Sequence, residues 1–464
     1  MIAFVYQLMD WIRFSQPHAF VVFFIYVWVV WTVKVLGSRR YMPAINDYTT
    51  STSVVMPVYQ EPPEVLRRSL RSIAANNPDE IIVVVDGGDE AMAEIAREFT
   101  DRVIKIPKAG KRTALETGIP MTTSEIVIIV DSDTIFTENT IEELVKPFAD
   151  PEIGGATTNQ RIFDPDRTFC RHSSDWMEDL RFTISTPAQS SFGTVGCLPG
   201  RAIALRRKLL VEFVPELMHD EFLGIRCEIG DDRALTNFTL KKGYRTVFQS
   251  TAKVFTDAPD HWGKFTRQQL RWARSSQRET MKSMRWLIRK PFLAFCFISD
   301  ILTPFLLVGL VLMLIFAWLT NQTDTLIIAN TPLENPLVAA AAAYLGAILS
   351  IGIRQIPRFK NHPKDIFLLP VFVLALTFIL IPVRIAGFLT MGEQNWITRA
   401  IKRDPEQAPA EGQAVTGRVW AVRGLTAIAG LALLLSIFWI GVNFEQRDDP
   451  YASYRDRIDA VTGD

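Results

Sequence analysis

"EIVIIVDSD", residues 125–133, is the stretch on which the fold turns. Five consecutive Val and Ile residues make a short buried strand, and the strand stops on two aspartates two residues apart. Three similar runs precede it: "STSVVMPV" (51–58), "EIIVVVD" (80–86) and "RVIKIP" (102–107). Helical patterns lie between them at about 63–76, 90–100 and 111–122. This βαβα rhythm predicts a mainly parallel sheet covered by helices. In such sheets ligands sit at the carboxyl ends of the strands, so the polar residues there are the first site candidates. The first strand runs into Tyr59 and Glu61, the second ends on Asp86, and the fourth ends on Asp131 and Asp133. "KAGKR" after the third strand supplies Lys108, Lys111 and Arg112.

In an extended segment, residues two apart share a side. Asp131 and Asp133 could therefore offer hard oxygen donors to Mg²⁺ or Mn²⁺, although strand-end aspartates also serve as caps and turn formers. Asp86 could accept hydrogen bonds from a base or ribose, or simply form a turn. The Lys and Arg of "KAGKR" would supply counter-charge to a phosphate, or form a solvated loop. Further on come "VGCLPGR" (195–201), a turn-forming loop that brings in Gly200, and "GDDRALTN" (230–237). Asp231 and Asp232 there are either helix N-terminal carboxylates favoured by the dipole or a general base, with Arg233 beside them. "RQQLRWARSSQ" (267–277) places Gln268, Arg271 and Trp272 in a Q-x-x-R-W pattern. No P-loop or G-x-G-x-x-G pattern is present, and none of the five His falls in a metalloprotease or Ser/His arrangement.

The formal net charge is +0, which gives no reason to expect nucleic acid as a partner. Hydrophobic residues make up 48% of the 464 residues and are gathered in blocks. The first block, residues 19–37, is long enough to span a bilayer as a helix. Arg39 and Arg40 behind it place that end in the cytoplasm, so residues 41–292 are expected to form a cytoplasmic domain. Blocks at 295–319, 337–353 and 421–443 also read as spans. Residues 366–390 carry Pro370 and Pro382 between two basic flanks, so they are expected to cross an even number of times or to be re-entrant. The four scattered cysteines suggest neither a disulfide framework nor a zinc site. The expected divisions are an anchor (1–45), the cytoplasmic domain (46–262), an interfacial helix (263–292), a channel region (293–390), a gating segment (391–417) and a last span with tail (418–464).

The order "PVYQEP", Asp86, "KAGKR", "DSD", "GDDR", Q-x-x-R-W, followed by membrane spans, resembles the processive membrane glycosyltransferases of family 2: the cellulose, chitin and hyaluronan synthases. "DDRALTN" and "NWITRAIKR" are similar to the hyaluronan synthase branch. "VGCLPGRAIALR", "TDAPDHWGKFTRQQLRW" and their neighbours look closer still to the type 3 capsular polysaccharide synthases of pneumococcus. The resemblance ends near residue 400. It implies an α/β GT-A fold with a Rossmann-like mixed sheet, joined to α-helical spans in the cell membrane. It also implies inverting transfer from UDP-sugar donors, UDP-glucose and UDP-glucuronic acid or else UDP-GlcNAc and UDP-GlcA, onto a growing polysaccharide. Asp86 would then contact uridine, Asp131 and Asp133 the metal-bound diphosphate, and Asp232, rather than Asp231, would be the base. Gln268, Arg271 and Trp272 would form the acceptor and diphosphate site, with the sugar ring stacked on the indole. Trp396 and Arg399 would sit on a gating segment. The flanking Arg274, Arg278, Lys282, Arg285 and Arg289 would anchor the helix to anionic lipid headgroups.

Overall fold

The structure, a computed structural model, describes residues 22–319, 336–394 and 412–446. Helix α1 (Val22–Ser38) leads into the sheet domain. There β1 (Thr52–Val58), α2 (Pro63–Ala74), β2 (Glu80–Asp86), α3 (Glu90–Arg97), β3 (Val103–Ile106), α4 (Lys111–Gly118) and β4 (Ile126–Val130) alternate as the pattern of apolar runs predicts. The second half holds β5 (Ile135–Phe136), α5 (Thr140–Val145), β6 (Ile153–Ile162), α6 (Phe169–Leu180), α7 (Thr186–Ser190), β7 (Ala202–Arg206), α8 (Arg207–Met218), the hairpin β8 (Glu221–Phe222) and β9 (Ile225–Arg226), α9 (Asp231–Lys241) and β10 (Arg245–Thr256). Then come α10 (Trp262–Leu287), α11 (Pro291–Leu319), α12 (Pro336–Arg354), α13 (Ile356–Asn361), α14 (Asp365–Ala375), α15 (Ile381–Leu389) and α16 (Gly412–Gln446).

Strands β3, β2, β1 and β4 lie side by side in parallel, in that order, and the sheet continues through β7, β6, β10 and β5. β7 runs antiparallel to both β4 and β6, which makes the sheet mixed. Its central strand β4 is apolar at every position because both faces are covered. Val54, Met56 and Val58 of β1 pack with Leu66, Leu70 and Ile73 of α2. Val55, pointing the other way, joins Leu115 of α4, Phe213 of α8 and Phe238 of α9. Packing both faces leaves the strand ends as the place where charged side chains can meet.

Trp31–Ile298 and Gln355–Arg423 form one compact unit; Met1–Val30, Ser299–Arg354 and Gly424–Asp464 form a second. In the second, the Tyr26 hydroxyl lies 3.2 Å from Thr303 Oγ1. Among the described residues, Pro291–Leu312, Asp365–Leu389 and Gly417–Leu435 are helices long and apolar enough to cross a membrane; Val22–Ser38 and Ala341–Arg354 are apolar but shorter. Residues 366–389 form one helical run with a π-turn at Leu376–Leu380, just ahead of Pro382. No hairpin is built there. The wider turn accommodates the proline that a regular helix would have to kink around.

The run packs on α10. A Cβ on Gly387 would come within 2.6 Å of the Ala273 Cβ, so the two helices touch at backbone distance. Gln277 Nε2 donates to the Arg384 carbonyl at 2.8 Å. Three residues expected to face lipid headgroups are instead committed inside the protein. Arg274 donates to Thr390 Oγ1 at 2.8 Å and pairs with Glu393. Arg278 is fully buried and donates to the Ile229 carbonyl and, at 3.1 Å, to Gln394 Oε1. Lys282 pairs with Asp220 and Glu279. Only Arg285 and Arg289 of that group are exposed.

Candidate active site

Asp131 leaves β4 facing Lys111, whose ammonium lies 2.8 Å from Asp131 Oδ1 and 3.1 Å from Asp231 Oδ2. Burial alone would drive off the Lys111 proton, but these two carboxylates outweigh it and raise the affinity. Gly200 closes over this pair. A Cβ there would lie 3.1 Å from Lys111 Nζ and 3.5 Å from Asp131 Oδ2, so a larger residue would crowd it. Asp133 has burial and the carboxylates of Asp131 and Glu61 around it, only partly countered by Arg201, and is pushed up to about 7. Glu61 in turn accepts from Ser132 Oγ at 2.7 Å. Clustered carboxylates of this kind are the hard oxygen donors that a divalent cation takes.

Asp86 ends β2 buried, accepting from the amides of Ala109 at 2.7 Å and Gly110 at 2.9 Å. It thus fixes the "KAGKR" loop. Lys108 of that loop reaches over the Tyr59 ring, 5.9 Å from its centroid, which gathers Tyr59, Asp86 and Lys108 at adjoining strand ends. Arg112 does not join them. One residue along a helix turns the side chain by about 100°, and its guanidinium is buried against the Leu217 carbonyl (2.8 Å) and Asp220 (3.2 Å). Adjacency in sequence gave no warning of this.

The α9 start separates two neighbouring carboxylates. Asp231 is buried; burial opposes its charge, but Lys111 beside it keeps its pKa below the usual range. Asp232 is half-buried, and burial, then Asp231, raise its pKa. Its Oδ1 accepts from the Arg233 backbone N–H at 2.8 Å, and Cys197 Sγ lies 3.9 Å from its Oδ2. The Arg233 guanidinium is elsewhere: it stacks on Phe297 at 4.1 Å and donates to Ser276 and Thr280 of α10. The Arg233 side chain therefore does not orient Asp232; its backbone N–H does.

On α10, Trp272 lines a cleft together with Gln268, Met177 and Glu178 of α6, Ile162 of β6 and Arg201. The Arg201 guanidinium stands 5.6 Å from the indole centroid. Arg271 is half-buried on the same helix. Trp396 and Arg399 lie outside the described residues. Arg201 and Glu178 were not singled out from the sequence: "VGCLPGR" contains the arginine without marking it, and "DWMEDL" around Glu178 carries no motif.

The model of the family "Glycosyltransferase like family 2" matches residues 50–275, the segment that carries every strand and α10 as far as Ser275. Residues 50–275 are a family 2 glycosyltransferase domain. A hyaluronan synthase of Streptococcus pyogenes serotype M3 is 27% identical over 368 residues, covering 76% of this chain and 84% of that protein. An N-acetylglucosaminyltransferase of Rhizobium sp. (strain N33) is 28% identical over 365 residues, covering 76% of this chain and 78% of that one. Among solved structures, a mannosyltransferase of Pyrobaculum calidifontis in complex with GDP-Man and Mn²⁺ matches with TM-score 0.53 at 18% identity, covering 80% of this chain and 99% of that one. That likeness bears on the fold, and the fold is GT-A. With a glycosyltransferase domain over residues 50–275, the chain is an enzyme.

Proposed function

We propose that this glycosyltransferase is a processive, inverting, multi-pass enzyme of the cell membrane. Its catalytic domain faces the cytoplasm and polymerises UDP-sugars into a polysaccharide that it translocates. The observation that carries the reading is the divergence of Asp231 and Asp232. One is neutralised by Lys111, whereas the other has no cation bonded to it among the described residues and keeps a raised proton affinity. Environments that push paired carboxylates apart mark acid–base assignments. Asp232 takes the proton of the acceptor hydroxyl as that oxygen bonds to the donor's anomeric carbon, and the bond to the UDP oxygen breaks on the opposite face. Asp131, Asp133 and Glu61 would hold Mg²⁺ or Mn²⁺, which would neutralise the leaving diphosphate. Lys111 holds Asp131 and Asp231 in register, Asp86, Tyr59 and Lys108 seat the nucleoside, and Trp272 with Gln268 and Arg271 receives the acceptor.

Two donor pairs are in view. Sequence resemblance favours UDP-glucose with UDP-glucuronic acid; the hyaluronan synthase and N-acetylglucosaminyltransferase relatives favour UDP-GlcNAc, with UDP-GlcA for an alternating polymer. The full chain purified with Mn²⁺ is given each UDP-sugar singly and in these pairs, and product length is measured. Long polymer from one pair, and at most short product from either member alone, is expected. Single-residue transfer from every donor would instead make it a non-processive lipid glycosyltransferase.

A further inference from the structure

The cleft beside Trp272 is lined by Ile162, Met177, Glu178, Arg201, Asp257 and Gln268. Its wall carries a buried carboxylate that is only half satisfied. The Glu178 side chain is 9% exposed, and its Oε1 accepts from Arg201 Nη1 at 2.8 Å. Its Oε2 accepts no hydrogen bond among the described residues. Arg181 Nη1 stands 3.8 Å from it, too far for one. A buried acceptor left unpaired costs free energy, and Glu178 lines the cleft, so a donor brought by a ligand would satisfy it. Arg201 Nη1 also reaches Gln160 Oε1 at 3.3 Å, so the guanidinium is braced and in turn fixes the Glu178 carboxylate. Asp257, also on the wall, is held by Arg171 at 2.6 Å. Glu178 and Asp257 thus put carboxylate acceptors on the wall, with Arg201 and Arg171 as their counter-charges.

We propose that Glu178 is a specificity-determining residue of the acceptor subsite. Its carboxylate accepts a hydrogen bond from a ring hydroxyl of the acceptor's terminal sugar while that ring lies on Trp272, and Arg201 sets its orientation. A uronate in this subsite turns its carboxylate away from Glu178. The inference rests on the synthase reading above and adds to it the residue that reads the acceptor.

The test uses the purified full chain with Mn²⁺, a UDP-sugar that it turns over, and methyl β-glucopyranoside or methyl N-acetyl-β-glucosaminide as free acceptor, followed by UDP release. Glu178→Gln should raise the acceptor KM about 10- to 100-fold, the range of a hydrogen bond to a charged group. The acceptor KM should change far more than the donor KM. One monodeoxy acceptor should suffer the same loss with wild-type protein and no further loss with Glu178→Gln. A purely structural role would not single out one hydroxyl. An unchanged acceptor KM, or a deoxy penalty that persists in the variant, overturns the inference. Should Glu178→Gln fail to fold, Glu178→Asp, which keeps the charge but withdraws it by one methylene, carries the same comparison. Wild-type protein that releases UDP from no UDP-sugar overturns the synthase reading and this inference together; wild-type turnover with an indifferent variant overturns this inference alone.

Discussion

Asp231 and Asp232 share a helix turn and almost nothing else. Lys111 neutralises the first, and the second keeps a raised proton affinity beside Cys197. General-base catalysis contributes about 10²–10⁴-fold, so Asp232→Asn should lower kcat by about that factor with UDP affinity nearly unchanged. Asp231→Asn should act more weakly and through UDP affinity, because it loosens Lys111 from Asp131. A kcat loss confined to Asp231→Asn would exchange the two roles. Asp133 carries a different expectation. With its pKa pushed up to about 7, it is protonated below that pH, and a cation must displace the proton to bind. Apparent Mn²⁺ affinity should therefore fall about fivefold between pH 7 and pH 6 and level off above pH 8. Calorimetric Mn²⁺ titration across that range checks it, and Asp133→Asn should abolish both the pH dependence and transfer.

At the scale of elements, legibility followed from whether a residue's role depends on its own strand or on a distant partner. Tyr59, Asp86, Asp131 and Asp133 were readable because an apolar run fixes where a strand ends and the parallel sheet fixes what strand ends do. The antiparallel insertion of β7 was not, since nothing in "RAIALR" states a direction. Nor were the destinations of Arg112, Arg274 and Arg278: a basic residue on an amphipathic helix looks the same whether it meets lipid or a buried carbonyl. The acceptor cleft draws on β6, α6, Arg201 and α10, and no local pattern joins these. The α10–α15 contact is similarly invisible in sequence yet tightly specified. Gly387→Val would place side-chain atoms inside the Ala273 contact. It should cost about 1–3 kcal/mol, as overpacking does, measured as a lower thermal midpoint. Ala273→Gly in the same chain should recover part of it, an outcome that simple loss of helix propensity would not give.

At the scale of the whole molecule, the segment beyond the resemblance has a definite place within the unit that carries the active site. The first turns of α16 reach the hairpin and the turn after α15: Arg418 Nη1 donates to the Gly224 carbonyl at 3.0 Å, and a Cβ on Gly392 would meet Val422 at 2.9 Å. Glu393 in that turn pairs with Arg423 of α16 and with Arg274 of α10, and burial, then Arg423, pulls Arg274 down to about 10. One carboxylate therefore holds two partly desolvated guanidinium groups, one of them two residues from Trp272. Removing the shared partner of a buried ion cluster leaves uncompensated charge and costs about 3–5 kcal/mol; removing one of two cations leaves the other paired. Glu393→Ala should thus destabilise far more than Arg423→Ala, and Glu393→Ala with Arg423→Ala should regain part of the loss, because the repulsion between the two arginines is gone. Thermal unfolding of the three variants beside wild type measures this. The same variants should lose acceptor affinity before UDP affinity, since the displaced helix is the one that carries Gln268 and Trp272. Equal losses for the two single variants would show that Glu393 serves only Arg423, and that α16 is seated without bearing on α10.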